Sequence, residues 1–442
     1  MAHAADLCQR GGAGSKLIEQ EIQTEPAKIK STTRRSGMFR ALSNPNFRLF
    51  WIGAFLSNVG TWMQAVAQGW LVLTLTNSPF WLGLDAFVAT APGFFLTLIG
   101  GVFADLIDRR RFLLYTQVAA GIAALGLAIL VATDLVNRWL VLGFSFVTGC
   151  CMALASPSFL AMTYDLVGRE DLPNAIAMNS TQFQLSRVVG PTLAGVAFRV
   201  FGLAGCFFAN AASFIFVVAA LSRVRAENYK PAVPSHSVRD RRALWGDLVE
   251  GLRYVRNRPR VSALLMLSAV NSLFGAPYFT LVPVYARDIF HLGETGLALM
   301  MGTAGAGAFV GALLVAYLGD FRRKGWFVLS GAIMFGICIT NFALTTNLKL
   351  SLAFLFGLGF ALVVSVAITN TLLQKLVTDQ MRGRVMSMFI LSFMGTMPIG
   401  NIVAGAISNH YGPQLTLATG GVIVTLSATG VMIFNKRLRE LH

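Results

Sequence analysis

The chain has 442 residues, of which 55% are hydrophobic and only 13% are charged, and its formal net charge is +16. A soluble domain carries about 25% charged residues, so this composition excludes an ordinary soluble protein. The net charge raises the question of nucleic-acid binding, which depends on where the basic residues lie along the chain.

Twelve apolar stretches follow one another between residues 47 and 435. A hydrocarbon core about 30 Å thick is crossed by roughly 20 helical residues, and lipid offers no partner to backbone groups outside a helix. We therefore predict an all-α integral membrane protein with 12 transmembrane helices. The predicted spans are 49–75, 79–104, 112–133, 138–165, 174–199, 203–222, 261–286, 293–319, 325–343, 350–376, 384–408 and 413–435.

The basic residues alternate between the two sides of this predicted bundle. Of the 36 lysines and arginines, 31 lie in the terminal tails or in every second connection between spans. Such residues stay in the cytoplasm, which predicts cytoplasmic N- and C-termini for a multi-pass protein of the cell inner (plasma) membrane. The charge is explained by topology and by contact with membrane lipids, and we expect no nucleic-acid partner.

The chain divides into two apolar halves and three polar segments. Residues 1–47 are predicted to be a disordered cytoplasmic tail, and 436–442 a second cytoplasmic tail. The N-terminal half, 48–222, and the C-terminal half, 261–435, hold six spans each. The cytoplasmic linker, 223–260, is polar and basic.

The second part of the linker has an amphipathic pattern. Leu244, Leu248, Leu252 and Val255 recur at helical spacing, with arginines on the other side. This pattern predicts a helix that lies on the anionic inner leaflet and joins the two halves.

Landmarks in the two halves repeat. Gly195 and Gly202 recur as Gly405 and Gly412, an offset of 210 residues. The aspartate that precedes a basic turn, Asp105, recurs 215 residues later. Two landmarks with nearly the same offset predict a six-plus-six duplication, which is a known layout for transporters.

The turn between spans two and three resembles the signature loop of the major facilitator superfamily, G-x-L-A-D-R-x-G-R-R. Gly101, Ala104, Asp105, Arg109 and Arg110 match it, whereas the arginine after the central aspartate is replaced by Leu106. The resemblance implies two six-helix halves around a central cavity. It also implies a cytoplasmic gate between the halves, with Gly101, Asp105, Arg109 and Arg110 as candidates.

Four further stretches are similar to the bacterial exporter branch of this superfamily, which includes enterobactin and macrolide efflux proteins. They cover residues 44–72, 168–180, 250–259 and 382–389. The resemblance extends over roughly residues 40–435 and implies export of a small molecule.

Span five contains Gly190, Pro191 and Gly195, which resemble the G-P-x-x-G-G element of proton-coupled drug antiporters. The proline leaves a carbonyl unpaired and the glycines permit close approach, so a hinge or a tight helix crossing is expected. Arg187 lies near the middle of this span. An intramembrane arginine indicates function, and we treat it as a candidate for proton coupling, with snorkelling to the inner interface as the alternative. The membrane-embedded part of span four has no arginine, so the residue that such antiporters use to relay protons is absent there.

Asp85 is the strongest candidate for proton coupling. It is the one carboxylate clearly within a predicted span. A carboxyl group removed from water can bind and release a proton as its access alternates between the two sides. A structural aspartate close to the outer interface is the alternative.

Polar side chains at helical spacing are candidates for the substrate cavity. Span one carries four on one face, and spans seven and ten add two each. The alternative is hydrogen bonding between helices without substrate. The glycines of span eight indicate a packing face. The cavity candidates are Ser57, Thr61, Gln64, Gln68, Asn271, Tyr278, Asn370 and Gln374.

The sequence has no GxxxxGK[ST] motif for ATP, no metal-ligand spacing among its five His and five Cys, and no catalytic triad pattern. We therefore expect no enzyme activity, no cofactor and no metal. The predicted function is secondary active, proton-coupled export of an amphipathic small molecule, drug-like or siderophore-like, by a monomer with alternating access. The polar but mostly uncharged cavity candidates favour a mostly neutral substrate. A lysophospholipid or nutrient carrier and a non-transporting membrane receptor are the alternatives.

Overall fold

The computed structural model describes residues 39–224, 250–319 and 323–439. These residues are almost entirely helical, and none of them lies in a strand. Residues 41–442 belong to one compact unit, to which the description below applies.

Helices occupy all twelve positions predicted to span the membrane. In the N-terminal half, α1 is Pro45–Thr76, α2 is Pro79–Leu106, α3 is Arg109–Ala132, and α4, α5 and α6 lie within the helical stretch Arg138–Arg223. In the C-terminal half, α7 is Pro259–Ile289, α8 is Gly293–Leu318, α9 is Lys324–Leu344, α10 is Leu348–Leu376, α11 is Asp379–Tyr411 and α12 is Pro413–Phe434. Single turns of helix precede α1 at Arg40–Ser43 and follow α12 at Lys436–Arg439.

Two glycines divide the 86-residue stretch Arg138–Arg223 into three helices. Gly168 has φ 73° and Gly202 has φ 66°. Glycine adopts this left-handed backbone without the steric penalty that a Cβ atom brings, so the helix ends there. The resulting segments are α4 (138–167), α5 (169–201) and α6 (203–223). Gly412, the repeat partner of Gly202, also has a positive φ, 84°, and separates α11 from α12.

By length and composition, nine helical stretches within the described ranges could cross a membrane, with Arg138–Arg223 counted once. Helix α1 is not among them, because its polar residues lower its mean hydropathy. Those polar residues face other helices: Gln64 and Gln68 bond to side chains of α6, α2 and α4. A helix enclosed by protein need not be apolar on every face.

The two halves meet at two helix crossings. Helix α2 packs against α11, and α5 packs against α8. Glycines make both crossings close: a Cβ added to Gly83 would lie 2.4 Å from the carbonyl oxygen of Asn401, and one added to Gly305 would lie 2.2 Å from that of Arg187. The packing role predicted for the glycines of α8 is therefore confirmed.

The apolar core differs between the two ends of the bundle. At one end, a single cluster combines residues of both halves, such as Leu71 and Phe207 with Leu281 and Phe342. At the other end, each half has its own cluster. Residues such as Phe50 and Met162 form the cluster of the N-terminal half. By the predicted topology, the shared cluster lies on the outer side of the membrane and the separate clusters on the cytoplasmic side.

The separate cluster of the C-terminal half includes Leu264 and Leu372.

The described part of the linker packs against the C-terminal half. Residues 250–256 are helical, Val255 packs against the same cluster, and Glu250 forms an ion pair of 2.6 Å with Arg384. Leu252 is exposed. Leu244 and Leu248 lie outside the described residues, so the amphipathic helix and the proposed domain boundaries stay predictions.

Candidate functional site

Asp85 lies buried between three helices of the N-terminal half. Its carboxylate accepts hydrogen bonds from the Ser145 hydroxyl of α4 at 2.5 Å and from the Gln68 amide of α1 at 2.8 Å. The Gln68 amide also donates to the Ser145 oxygen at 2.8 Å. Both carboxylate oxygens therefore have neutral donors, and in the described part of the chain no cation forms an ion pair with Asp85.

The hydrogen bonds continue from Asp85 across α1 to α6. Gln64 donates to the Gln68 side-chain oxygen at 3.3 Å and accepts from the Asn210 amide at 2.6 Å. We call Asp85, Ser145, Gln68, Gln64 and Asn210 the Asp85 network. It joins α2, α4, α1 and α6, so its members link four helices of one half.

The polar face of α1 is therefore largely occupied by protein partners. Gln64 and Gln68 belong to the Asp85 network, Ser57 is buried, and Thr61 donates to the Ser57 carbonyl at 3.0 Å. For Gln64 and Gln68 this arrangement favours hydrogen bonding between helices over direct lining of a cavity, whereas Thr61 bonds within α1. A substrate role for these four residues stays a prediction.

Arg187 lies at the meeting point of the two halves. Its guanidinium carbon is 5.2 Å from the centre of the Trp62 ring of α1, which is cation–π distance. It also interacts electrostatically with Tyr278 of α7, although the Tyr278 hydroxyl has no partner in hydrogen-bond geometry among the described residues. Arg187 thus contacts one helix of each half.

The remaining cavity candidates lie in the C-terminal half. Asn271 begins a π-helical turn, is buried, and has a side-chain oxygen with no partner among the described residues. Tyr278 is also buried and packs against Phe335 at a ring distance of 6.3 Å. In α10, the Gln374 amide donates to the Asn370 side-chain oxygen at 2.9 Å on an exposed face.

The glycine–proline element of α5 forms a tight crossing. A Cβ added to Gly190 would lie 2.4 Å from the Trp62 Cβ, and one added to Gly195 would lie 3.2 Å from the Ala298 Cβ of α8. The chain stays helical through Pro191, and the non-helical residues are Gly168 and Gly202. The crossing is observed, whereas a hinge at Gly190, Pro191 and Gly195 stays a prediction.

The basic turn after α2 connects helices of the N-terminal half. Arg109 binds both oxygens of the buried Asp165 in α4, at 3.1 and 2.9 Å. Arg110 donates to the carbonyls of Leu221 and Ser222 at the end of α6, each at 2.6 Å. Gly101 has no atom within 4 Å of an added Cβ, and the side chain of Asp105 lies outside the described ones. A gate between the halves stays a prediction for these residues.

Contacts at the opposite ends of the helices join the halves directly. Arg287 of α7 donates to the Leu73 carbonyl at 2.9 Å and to the Asn77 side chain at 2.8 Å, both at the end of α1. Ser78 donates to the Asn409 side chain of α11 at 2.7 Å. We call these three hydrogen bonds the outer bridge. Nothing in the sequence predicts these bonds, because they connect residues more than 200 positions apart.

Sequence reasoning also missed three residues that touch the candidate positions. Ser145 and Asn210 are polar residues within apolar spans, and that signal was available in the sequence. Trp62 gave no such signal, because a tryptophan within an apolar span indicates only packing.

Comparisons with known proteins agree with this architecture. A family model described as a transmembrane secretion effector, MFS_3, matches residues 36–442. The multidrug efflux pump Tap of Mycolicibacterium fortuitum is 27% identical over 89% of this chain and 96% of its own length. The enterobactin exporter EntS of Citrobacter koseri is 25% identical over 90% of this chain and 94% of its own length.

Solved structures share the fold at low identity. The nucleoside transporter NupG has a TM-score of 0.69 at 12% identity, covering 88% of this chain and 99% of that one. A POT family transporter in complex with a thioalcohol-conjugated peptide has a TM-score of 0.71 at 12% identity, covering 89% and 96%. These structures share the all-α fold, whereas the multi-pass membrane location and a transport rather than enzymatic function follow from the family model and the exporter relatives. The chain belongs to the transmembrane secretion effector family of the major facilitator superfamily.

Proposed function

We propose that this protein is a monomeric secondary active transporter of the inner membrane, with cytoplasmic termini. It exports an amphipathic small molecule, drug-like or siderophore-like, in exchange for protons. The direction and the class of substrate are supported by the names of its relatives, a multidrug efflux pump and enterobactin exporters.

The observation that carries proton coupling is the buried Asp85 network. In the part of the chain that the structure describes, the Asp85 carboxylate accepts hydrogen bonds from a hydroxyl and an amide, and no cation there holds it ionised. Its protonation therefore responds to whether water reaches it. Gln68 and Ser145 connect it to α1 and α4, so a proton on Asp85 changes hydrogen bonds at both helices.

Alternating access is supported by the unequal ends of the bundle. The halves share one apolar cluster and the outer bridge at one end, and have separate clusters at the other. Halves that pack internally at one end and against each other at the other can rock as bodies about the two glycine crossings. The arrangement corresponds to a state open toward the cytoplasm.

The proton gradient supplies enough energy for this cycle. One elementary charge that crosses 100 mV contributes about 2.3 kcal/mol. A single proton taken up per molecule exported therefore supports a concentration ratio of roughly fifty, since 1.4 kcal/mol is a factor of ten.

The test is the internal pH of proteoliposomes that contain the purified full-length protein, measured against a panel of drugs and siderophores. We expect substrate-dependent proton movement that Asp85→Asn abolishes, while counterflow exchange of substrate persists. Asp134→Asn, which changes an exposed aspartate in the turn after α3, is the matched control and leaves proton movement intact.

Substrate flux without proton movement would contradict coupling and favour a facilitated nutrient carrier. Flux of lysophospholipid alone would favour the lipid carrier. Binding without flux of any panel member would favour the non-transporting receptor.

A further inference from the structure

We propose that Arg187 binds an acidic group on the transported molecule, so that the substrate is an apolar or aromatic acid rather than a neutral compound. The inference rests on the proposed function, since it names the substrate class of that transporter. It also revises the expectation of a mostly neutral substrate, which followed from cavity candidates that are uncharged.

Arg187 lies deep in the membrane. Trp62, Arg187 and Tyr278 each lie about eighteen residues after the N-terminal end of α1, α5 and α7, which run in the same direction. At 1.5 Å per residue this is about 27 Å along each helix, so the three side chains share one level. Arg187 is near the middle of α5 and is held by two neighbours at that level. Snorkelling to the inner interface is therefore disfavoured.

Arg187 has no counter-charge among the described residues. A guanidinium has five N–H donors and no acceptor, and within a membrane its charge is costly unless it is paired. Among the residues that the structure describes, no carboxylate forms an ion pair with Arg187, and Asp85 accepts its hydrogen bonds from Ser145 and Gln68 instead. The cation–π contact with Trp62 offsets only part of the cost.

Arg187 lies between the two halves. Its guanidinium lies over the Trp62 ring of the N-terminal half, and its backbone packs against Gly305 of α8 in the C-terminal half. Substrate sites of transporters with repeated halves lie at the midplane on the interface between the repeats. A ligand at Arg187 therefore touches both parts that must move during transport.

The side chains around Arg187 indicate the chemistry of the rest of the ligand. The buried Tyr278 hydroxyl lies near the guanidinium, and its proton has no acceptor among the described residues, so it can donate to an anion. Phe183 and Phe279 pack edge-on against the Trp62 ring at 5.8 and 5.6 Å. A cation and a hydroxyl beside four aromatic rings fit a carboxylate or sulfonate attached to an apolar or aromatic body.

A lipid headgroup does not fit this position. The phosphates of a bilayer lie outside a hydrocarbon core about 30 Å thick, so a residue near the midplane is about 15 Å from either boundary of that core. The anion must therefore be carried by a molecule that enters between the halves.

The test compares two fluorescent probes that differ only in charge, dansylglycine and dansylglycinamide. Binding to the full-length protein in phosphatidylcholine nanodiscs is measured at pH 7 without a gradient. We expect the acid to bind about 10- to 100-fold more tightly than the amide, which is the range for a hydrogen-bonded charge. Arg187→Gln should make the two affinities equal, and Arg187→Lys should keep part of the preference.

Arg138→Gln is the matched control. Arg138 also lies over a tryptophan, 4.8 Å from the Trp81 ring, but it is the first residue of α4 and so lies far from the middle of the membrane. It should leave the preference for the acid unchanged. If Arg187→Gln does not give a monodisperse protein, Tyr278→Phe provides a second variant, which should weaken the acid several-fold and leave the amide unaffected.

Equal binding of acid and amide to the unchanged protein, or no binding of the acid, would overturn the inference. A preference that survives Arg187→Gln would overturn it as well. Proton coupling is measured separately in proteoliposomes, so failure there with an intact preference for the acid contradicts the proposed function and not the anion subsite.

Discussion

The two ends of the helix bundle are built differently. At the predicted outer end the halves share one apolar cluster, and Arg287 and Ser78 form hydrogen bonds from one half to the other. At the predicted cytoplasmic end each half has its own cluster, and Arg109 and Arg110 bond within the N-terminal half.

The difference separates two kinds of interaction. In the proposed alternating-access cycle, contacts within a half at the cytoplasmic end persist throughout, so they should affect stability. Contacts between halves at the outer end would exist in one state only, so they should affect the balance between states. Substitutions at the two ends should therefore change different measured quantities.

The largest effect is expected within a half, at the pair of Arg109 and Asp165. The Asp165 side chain is only 2% exposed, so removing its partner leaves a buried charge unpaired. Arg109→Gln should lower the free energy of unfolding by about 3 kcal/mol. Arg382→Gln is the control, since its partner Asp379 is 86% exposed, and it should change stability by less than about 1 kcal/mol.

The measurement is thermal or denaturant unfolding of both variants in the same detergent. The comparison of the two ends fails if Arg109→Gln leaves stability unchanged and instead shifts the distance between the halves. That outcome would mean that Arg109 acts as the latch implied by the signature loop.

A smaller effect is expected at the two glycine crossings about which the halves are proposed to move. In Gly305→Ala the new Cβ would meet the backbone of Arg187, which cannot give way as a side chain does. Overpacking of this kind costs about 1–3 kcal/mol and should also slow transport. In Gly430→Ala the new Cβ would have no atom within 4 Å, so this variant should change neither stability nor transport rate.

Transport rate in proteoliposomes and thermal stability are measured together for the two glycine variants. A Gly305→Ala protein with normal stability and normal rate would show that α5 and α8 do not need this close approach during the cycle.

The smallest effect is expected at the outer bridge. Arg287→Gln removes two hydrogen bonds between the halves at a partly exposed site, so it should favour the outward-open state by about 1 kcal/mol, or roughly fivefold. Spin labels at the ends of α1 and α7 would report the distance between the halves. Arg199→Gln, an exposed arginine at the end of α5, is the control. An unchanged distance distribution in Arg287→Gln would remove the bridge from the conformational balance.

Much of the fold was predictable, because it depends on local properties of the chain. Apolar length placed all twelve helices, with ends that differ from the predicted ones by a few residues. The repeat of Gly195 and Gly202 as Gly405 and Gly412 predicted positions that the structure uses in the same way. Gly195 and Gly405 lie in the two crossings, and Gly202 and Gly412 end helices with positive φ.

The site was predictable only in part. Asp85 and Arg187 were identifiable because a charge within an apolar span is costly and needs a reason. Their partners were not. Ser145 is 60 positions from Asp85, and Trp62 is 125 positions from Arg187, and nothing local relates the members of either pair.

The sequence by itself determined that this chain crosses the membrane many times, that it is duplicated, and that it places one acid and one arginine within its spans. Those properties follow from the free energy of transferring each side chain from water into lipid and from the periodicity of the helix. Only the tertiary structure decided that Asp85 bonds to neutral donors and that Arg187 lies between the halves with no carboxylate partner among the described residues. Such contacts depend on the rotation and crossing angles of packed helices, which many side chains determine together.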